Sequence, residues 1–187
     1  MEDLIDACKT GDIVAYGKLI DHYSSTVERF AFQIGVPFQD VPDVSQEVFI
    51  RIYRHLDRFD GKSSFSSWLY KITLNSARDY HRKHSSLLKK FNRLKNEKSR
   101  LSHSTENSLK QVLKDEEDQF LHMCINQLNE KYRIPIVLHY FHDMKYEQIS
   151  EIIGVKLSTV KVRVMRGKKL LAENLESGER EGGFLNG

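Results

Sequence analysis

Proline, glycine and cysteine are all scarce in this 187-residue chain, with 3 Pro, 10 Gly and 2 Cys. So few helix breakers leave room for long helices. Cys8 and Cys124 lie far apart and in no CxxC pair, which excludes a disulfide framework and points to buried thiols of a cytoplasmic protein. No apolar run approaches the roughly 18 residues of a membrane span. The start, Met1-Glu-Asp-Leu-Ile-Asp, is acidic and lacks the basic and apolar sections of a secretory signal. A P-loop, a dinucleotide fingerprint and a nucleophile elbow are also missing. His122, Cys124, His139 and His142 form only a loose cluster whose spacing fits no strong metal pattern. The expectation is therefore a non-enzyme without cofactor, metal or small-molecule substrate.

A large excess of one charge is missing too: the net charge is +3. The average conceals an alternation. Residues 1–60 sum to −5, residues 61–110 to +9, residues 111–155 to −4 and residues 156–187 to +3. Two separated basic surfaces, each beside an acidic one, follow from that pattern.

What the chain does have is apolar residues at spacings of three and four, which predicts an all-α protein. A first helix is expected near 2–9, and Asp12 caps the next. That helix carries Ala15, Tyr16, Leu19, Ile20 and Tyr23 on one face, continued by Val27, Phe30, Ala31 and Ile34. Gly35, Pro37 and Pro42 mark a loop. Asp43-Val-Ser-Gln46 fits a capping box, with Asp43 at the N-cap and Gln46 three residues on. The helix that follows turns Val44, Val48, Phe49, Ile52, Tyr53 and Leu56 inward. After a turn over Phe59–Ser64, a helix from near Ser66 runs to His84 with Trp68, Leu69, Ile72 and Ala77 inward. Residues 81–100 hold eight basic groups against one acidic, and 85–110 read as a flexible basic linker. The domains expected are residues 1–84 and 111–175, with a disordered tail at 176–187.

The most specific motif is a helix-turn-helix over 146–171. Ile149, Ile152 and Ile153 face inward, and Gly154 supplies the left-handed turn. Ser158 is placed as the N-cap of a second helix, with Val160, Val164 and Leu171 on its apolar face. Residues 156–171 contain six basic groups and no acidic one. Such a helix can offer Lys and Arg to guanine edges in a major groove and to phosphates beyond it.

Several stretches together resemble one family. Leu128-Asn-Glu-Lys-Tyr-Arg133, Tyr140-Phe141, Tyr146-Glu-Gln-Ile149, Gly154, Ser158-Thr-Val-Lys161 and Arg166 resemble region 4 of bacterial RNA polymerase sigma factors of the extracytoplasmic-function (ECF) group. Asp43-x-x-Gln46-Glu47-x-Phe49 is similar to region 2.2. Phe65-Ser-Ser-Trp68-Leu69 through Asn75 and Asp79 is similar to regions 2.3 to 2.4. The resemblance spans about residues 8–84 and 111–173.

It implies a sigma factor that binds core RNA polymerase, through its beta-prime and beta subunits, and directs it to promoter DNA. Asp43, Gln46, Glu47 and Phe49 would dock on the beta-prime coiled coil; Asp43 and Gln46 can also cap their helix. Lys62, Ser63, Ser64, Phe65, Asn75, Arg78 and Arg82 would read the −10 element, where a flipped base sits in the loop 60–66. Lys71 and Lys83 add phosphate contacts. Trp68 reads as core in preference to a stacking platform, and Asp79 as structural. Ser158, Thr159, Lys161, Arg163, Met165, Arg166 and Lys169 would read the −35 element. Val162 stands where the family often has Ser, so −35 specificity does not transfer. Asn129 replaces a common Pro but can cap. Lys145 weakens the next cap unless Asp143 substitutes. Gly167 costs about 0.5–1 kcal/mol relative to Ala inside a helix. The linker is either a tether or a path along a nucleic-acid channel. An anti-sigma protein, membrane-bound in many such systems, is implied as a further partner. A stand-alone helix-turn-helix regulator is the alternative; it leaves Asp43–Phe49 and Phe65–Asp79 unexplained.

Overall fold

The computed structural model describes the backbone of residues 1–94 and 116–182, and the side chains of residues 1–86 and 118–178. Among the described residues every regular element is helical: α1 (Glu2–Lys9), α2 (Ile13–Gln33), α3 (Val41–His55), α4 (Phe65–Leu94), α5 (Glu116–Gln127), α6 (Glu130–Tyr140), α7 (Tyr146–Ile153) and α8 (Leu157–Gly182). Short 3-10 turns at Phe38–Asp40 and Leu56–Arg58 flank α3. The chain divides into two compact units, the first containing α1–α4 and the second α5–α8.

In the first unit Asp12 starts α2 as expected, its Oδ1 accepting from the N–H groups of Val14 (2.8 Å) and Ala15 (3.0 Å). The inward stripe of α2 meets Val48 and Ile52 of α3 and Leu69 of α4 in one core. Leu19, Phe30, Val48 and Ile52 are fully buried, and this removal of apolar surface from water is what holds the unit together. Tyr16 crosses from α2 to α3, its hydroxyl donating to the Phe49 carbonyl. Tyr80 of α4 donates to Asp40 Oδ2 at 2.7 Å and so fastens α4 to the start of α3.

Three expectations about this unit change. Helix α3 begins at Val41, because Pro42 fits the first turn, where its missing N–H has no role. Asp40 thus holds the N-cap position and Asp43 sits inside the first turn, so the Asp43–Gln46 capping box does not form. Tyr53 is 55% exposed, not inward. Helix α4 starts at Phe65 and runs to Leu94, so residues 85–94 are helix and not tether. Neither Gly nor Pro occurs between Phe65 and Leu94, and nothing in that stretch stops a helix once started. The rest of the expected linker, from residue 95 to 110, lies outside the described residues.

The second unit is built around α6, whose residues Ile134, Pro135, Ile136, Val137 and Leu138 are buried in succession. A run of five apolar residues spans every side of its helix and must be covered on every side, and α7 and α8 pack on α6 while α5 packs on α8. Asn129 caps α6, its side chain accepting from the Lys131 N–H at 3.1 Å. Gly167 lies in the α8–α6 contact: a Cβ there would stand 2.8 Å from Ile136 Cγ1. Its helix-propensity cost is the condition for this close approach. The tail also differs from expectation, since α8 continues through residues 176–182. Asn174 Nδ2 donates to the Cys124 carbonyl at 3.2 Å, and the Phe120 ring rests where a Gly178 Cβ would be. Tertiary packing here overrides a composition that alone reads as an unfolded end. Residues 183–187 lie outside the described part.

Candidate nucleic-acid interface

The outer face of α3 carries Asp43 and Gln46, both exposed, and Glu47, whose side chain is 44% exposed. Ile50 (37%) and Tyr53 (55%) extend that face at helical spacing. The sequence reading missed both, because an apolar residue on a helix is first assigned to the core. Phe49 lies inward, as its place on the apolar face of the helix predicts; at 7% exposure its ring belongs to the core, which corrects its assignment to the docking residues, and its carbonyl accepts from Tyr16.

The loop between α3 and α4 rests on aromatic rings. Tyr23, Phe59, Phe65 and Trp68 cluster, with centroids 5.3 Å apart in a tilted pair for Tyr23–Phe65 and 5.5 Å apart in a T-shaped pair for Phe59–Phe65. Phe65 is 6% exposed, so it too is corrected from contact residue to foundation. Trp68 packs on the same core, as its neighbours suggested. Above this bed, Asp60 accepts from the Lys62 N–H at 3.1 Å and pairs with Lys62 Nζ at 2.8 Å. The paired lysine lowers the Asp60 carboxyl from its ordinary value, and Asp60 raises Lys62. Gly61 between them has φ +72°, and a Cβ there would meet nothing within 4 Å. Ser63 is half-buried. Ser64 caps α4, its Oγ accepting from the Ser67 N–H at 3.1 Å. Beyond the loop, Lys71, Asn75, Arg78 and Arg82 form one exposed stripe on α4, opposite the buried Leu74 and Ala77.

An ion-pair chain, unforeseen from sequence, joins the two surfaces. Arg51 Nε donates to Glu47 Oε1 at 2.7 Å, and Arg51 Nη1 reaches Asp79 Oδ2 at 2.9 Å. Arg82 Nη2 donates to the other Asp79 oxygen at 2.8 Å. Burial pulls the Arg51 guanidinium down, but the bonds from Glu47 and Asp79 outweigh it and hold it above its ordinary value. The Glu47–Arg51 and Asp79–Arg82 spacings were readable as helical neighbours. The Arg51–Asp79 link is tertiary and left no local signal.

In the second unit Gly154 takes φ +68° and ends α7, as expected. Ser150 ties the turn, its Oγ donating to the Val155 carbonyl at 2.5 Å. Asp143 does not replace the weak Lys145 cap; Gln148 Oε1 reaches back to the Lys145 N–H at 3.0 Å. Helix α8 begins at Leu157, and Lys156 contributes the first carbonyl, to the Val160 N–H at 3.1 Å. Ser158 is therefore an exposed first-turn residue and not the N-cap. Val160 and Val164 are buried, which turns Lys161, Val162, Met165, Arg166 and Lys169 outward. Thr159 and Arg163 flank that face half-buried. Met165 is 65% exposed, and Lys169 pairs loosely with Glu173 at 3.8 Å. Among the described residues no group of His, Cys, Asp and Glu could hold a metal ion. His139 instead lies with Nδ1 3.0 Å from the Met144 carbonyl oxygen.

A helical bundle followed by a helix-turn-helix unit with an exposed cationic second helix defines a DNA-binding transcription protein. Residues 19–87 match the family model of sigma-70 region 2, and residues 120–171 that of sigma-70 region 4. The chain is 31% identical over 178 residues to the ECF RNA polymerase sigma-E factor of Escherichia coli (strain K12), covering 92% of this chain and 93% of that one. Among solved structures it is similar in fold to CnrH in complex with the cytosolic domain of CnrY, with TM-score 0.69 and 24% identity over 93% of this chain and 96% of that chain. It is similar also to the sigma factor RpoE in complex with the anti-sigma factor NepR from Bartonella quintana, with TM-score 0.68 and 22% identity over 86% and 96%. This chain belongs to the ECF RNA polymerase sigma factors of the sigma-70 family, the proteins that give RNA polymerase its promoter recognition. The stand-alone regulator is not favoured, because the first unit is matched as fully as the second. Sigma factors are not enzymes.

Proposed function

We propose that the three surfaces divide the work as follows. Asp43, Gln46, Glu47, Ile50 and Tyr53 on α3 dock on core polymerase. The 60–64 loop and the Lys71–Arg82 stripe of α4 engage the −10 element. The exposed face of α8 reads the −35 element through Lys161, Met165 and Arg166. The observation that carries this reading is that region 2 and region 4 both match, in order, in one chain.

A short polar loop held between the clustered rings of Phe59 and Phe65 and braced by the Asp60–Lys62 pair suits an extruded base, because extrusion costs a few kcal/mol and a braced loop lowers the ordering cost of holding it. Exposed cations on α8 suit a duplex, whose phosphates attract them from several ångströms away. The protein acts in the cytoplasm, and among the described residues no helix is long and apolar enough to cross a membrane. By likeness to RpoE, which was solved with the anti-sigma factor NepR, this chain is also held by an anti-sigma protein that covers one or more of these surfaces. Its target genes are those of a stress response, by likeness to the sigma-E factors.

The test is run-off transcription with the purified chain, core polymerase and a pool of genomic promoters. Initiation from a subset of promoters that share −10 and −35 sequences is expected. DNA binding without polymerase-dependent initiation would refute the reading.

A further inference from the structure

The Glu47–Arg51–Asp79–Arg82 chain places one carboxylate between two arginines, and the two are not alike. Arg51 is 27% exposed and fixed at both ends, by Glu47 at 2.7 Å and Asp79 at 2.9 Å. Arg82 is 78% exposed and held by one nitrogen at 2.8 Å. Its remaining N–H donors face solvent on the same stripe as Asn75. A guanidinium anchored at one edge loses little further freedom when its other edge binds a phosphate, since its fork is planar.

We infer that Asp79 is a positioning residue for promoter DNA: it aims Arg82 at a phosphate, and Arg51 fixes Asp79. The inference rests on the placement of Arg82 on the DNA-facing stripe and adds that two residues not themselves touching DNA set its affinity. It makes a prediction opposite in sign to simple electrostatics. Removing the Asp79 charge lessens repulsion with DNA, which alone would tighten binding. Loss of Arg82 positioning weakens it.

The experiment measures holoenzyme, reconstituted from the full chain and core polymerase, binding a labelled promoter duplex recovered by run-off selection. Affinity is read across a salt series for wild type, Asp79→Asn, Arg82→Ala and the double variant. Asp79→Asn should weaken binding about 3- to 10-fold and add nothing once Arg82 is gone, the sign of coupled neighbours. Arg82→Ala should lower the slope of log affinity against log salt by about 0.7–0.9, one phosphate contact, and Asp79→Asn should lower it similarly. Arg51→Gln, tested beside it, removes the anchor without touching Asp79 and keeps the test valid should Asp79→Asn fail to fold. Tighter or unchanged binding by Asp79→Asn or Arg51→Gln, or an equal loss with and without Arg82, overturns the inference. An Arg82→Ala variant that binds like wild type with an unchanged slope overturns the placement of Arg82 itself.

Discussion

In the first unit several charged residues of the outer faces are tied to one another: Glu47 to Arg51, Arg51 to Asp79, Asp79 to Arg82, and Asp60 to Lys62. On the outer face of α8, among the described residues, Lys161, Arg163 and Arg166 enter no ion pair, and Lys169 pairs with Glu173 at 3.8 Å. The loop of the first unit is flanked by Phe59 and Phe65, two of four clustered aromatic rings, whereas α8 approaches α6 through the bare backbone of Gly167. The contrast teaches that the two units are built for different targets. A fixed constellation favours a shaped ligand such as an extruded base, because its geometry is settled before binding. Exposed cations outside such a network favour a duplex backbone and base edges.

The largest break in this contrast is expected at the aromatic bed. Phe65→Ala should destabilise the first unit by about 3–5 kcal/mol, as a buried Phe truncation does, seen as a lower denaturant midpoint. A change of promoter preference with undiminished stability would return Phe65 to the role of a contact residue.

In the second unit Gly167→Ala should cost about 1–2 kcal/mol, because overpacking against Ile136 outweighs the roughly 1 kcal/mol that Ala gains in a helix. Chemical unfolding checks it, and a stabilised variant would show that α8 can move off α6 freely.

Arg166→Ala should relax −35 preference by about 1–3 kcal/mol at one position, while Lys169→Ala weakens all sequences evenly and lowers the salt slope. Binding-site selection with both variants decides this. Equal, sequence-blind effects would contradict the division of roles on α8.

The smallest effect concerns Tyr16. Burial pushes its phenol up to about 12 from an ordinary 10.0. The neutral form is therefore favoured in the fold, and its contribution is complete below pH 10.0 and lost as pH rises towards about 12. Tyr16→Phe should cost about 1 kcal/mol at neutral pH, the worth of one hydrogen bond, and less as pH approaches about 12. Melting curves at pH 8 and pH 11 compare the two proteins, and a cost that grows with pH would be the wrong sign.

Much of this was readable from sequence because it is local. Asp12, Asn129 and Gly154 act on backbone groups within a few residues, so the capping rules found them. The helix-turn-helix face was readable because burial of Val160 and Val164 fixes which way Lys161 and Arg166 point. Phe49 was readable as inward from apolar spacing, and its docking role, like the contact role of Phe65, came from likeness to a family motif; the burial of both rings follows from hydrophobicity. The end of α8 was misjudged because composition cannot report that Phe120 packs against Gly178, whereas the end of α4 was misjudged because a polar, basic composition was weighed above the absence of any Gly or Pro between Phe65 and Leu94. The Arg51–Asp79 link depends on how α3 meets α4, and no single stretch of sequence contains it.

The central claim is that one chain brings two differently built promoter-reading units to polymerase. It is tested most directly by transcription from a promoter library randomised at both the −10 and −35 elements, with core polymerase and three forms of the chain: wild type, Lys62→Ala in the loop, and Arg166→Ala in α8. Wild type should select both elements, the loop variant should lose selection at −10 alone, and the α8 variant at −35 alone. Selection lost at both elements by either single variant, or polymerase that initiates no better with the chain than without it, would contradict the account.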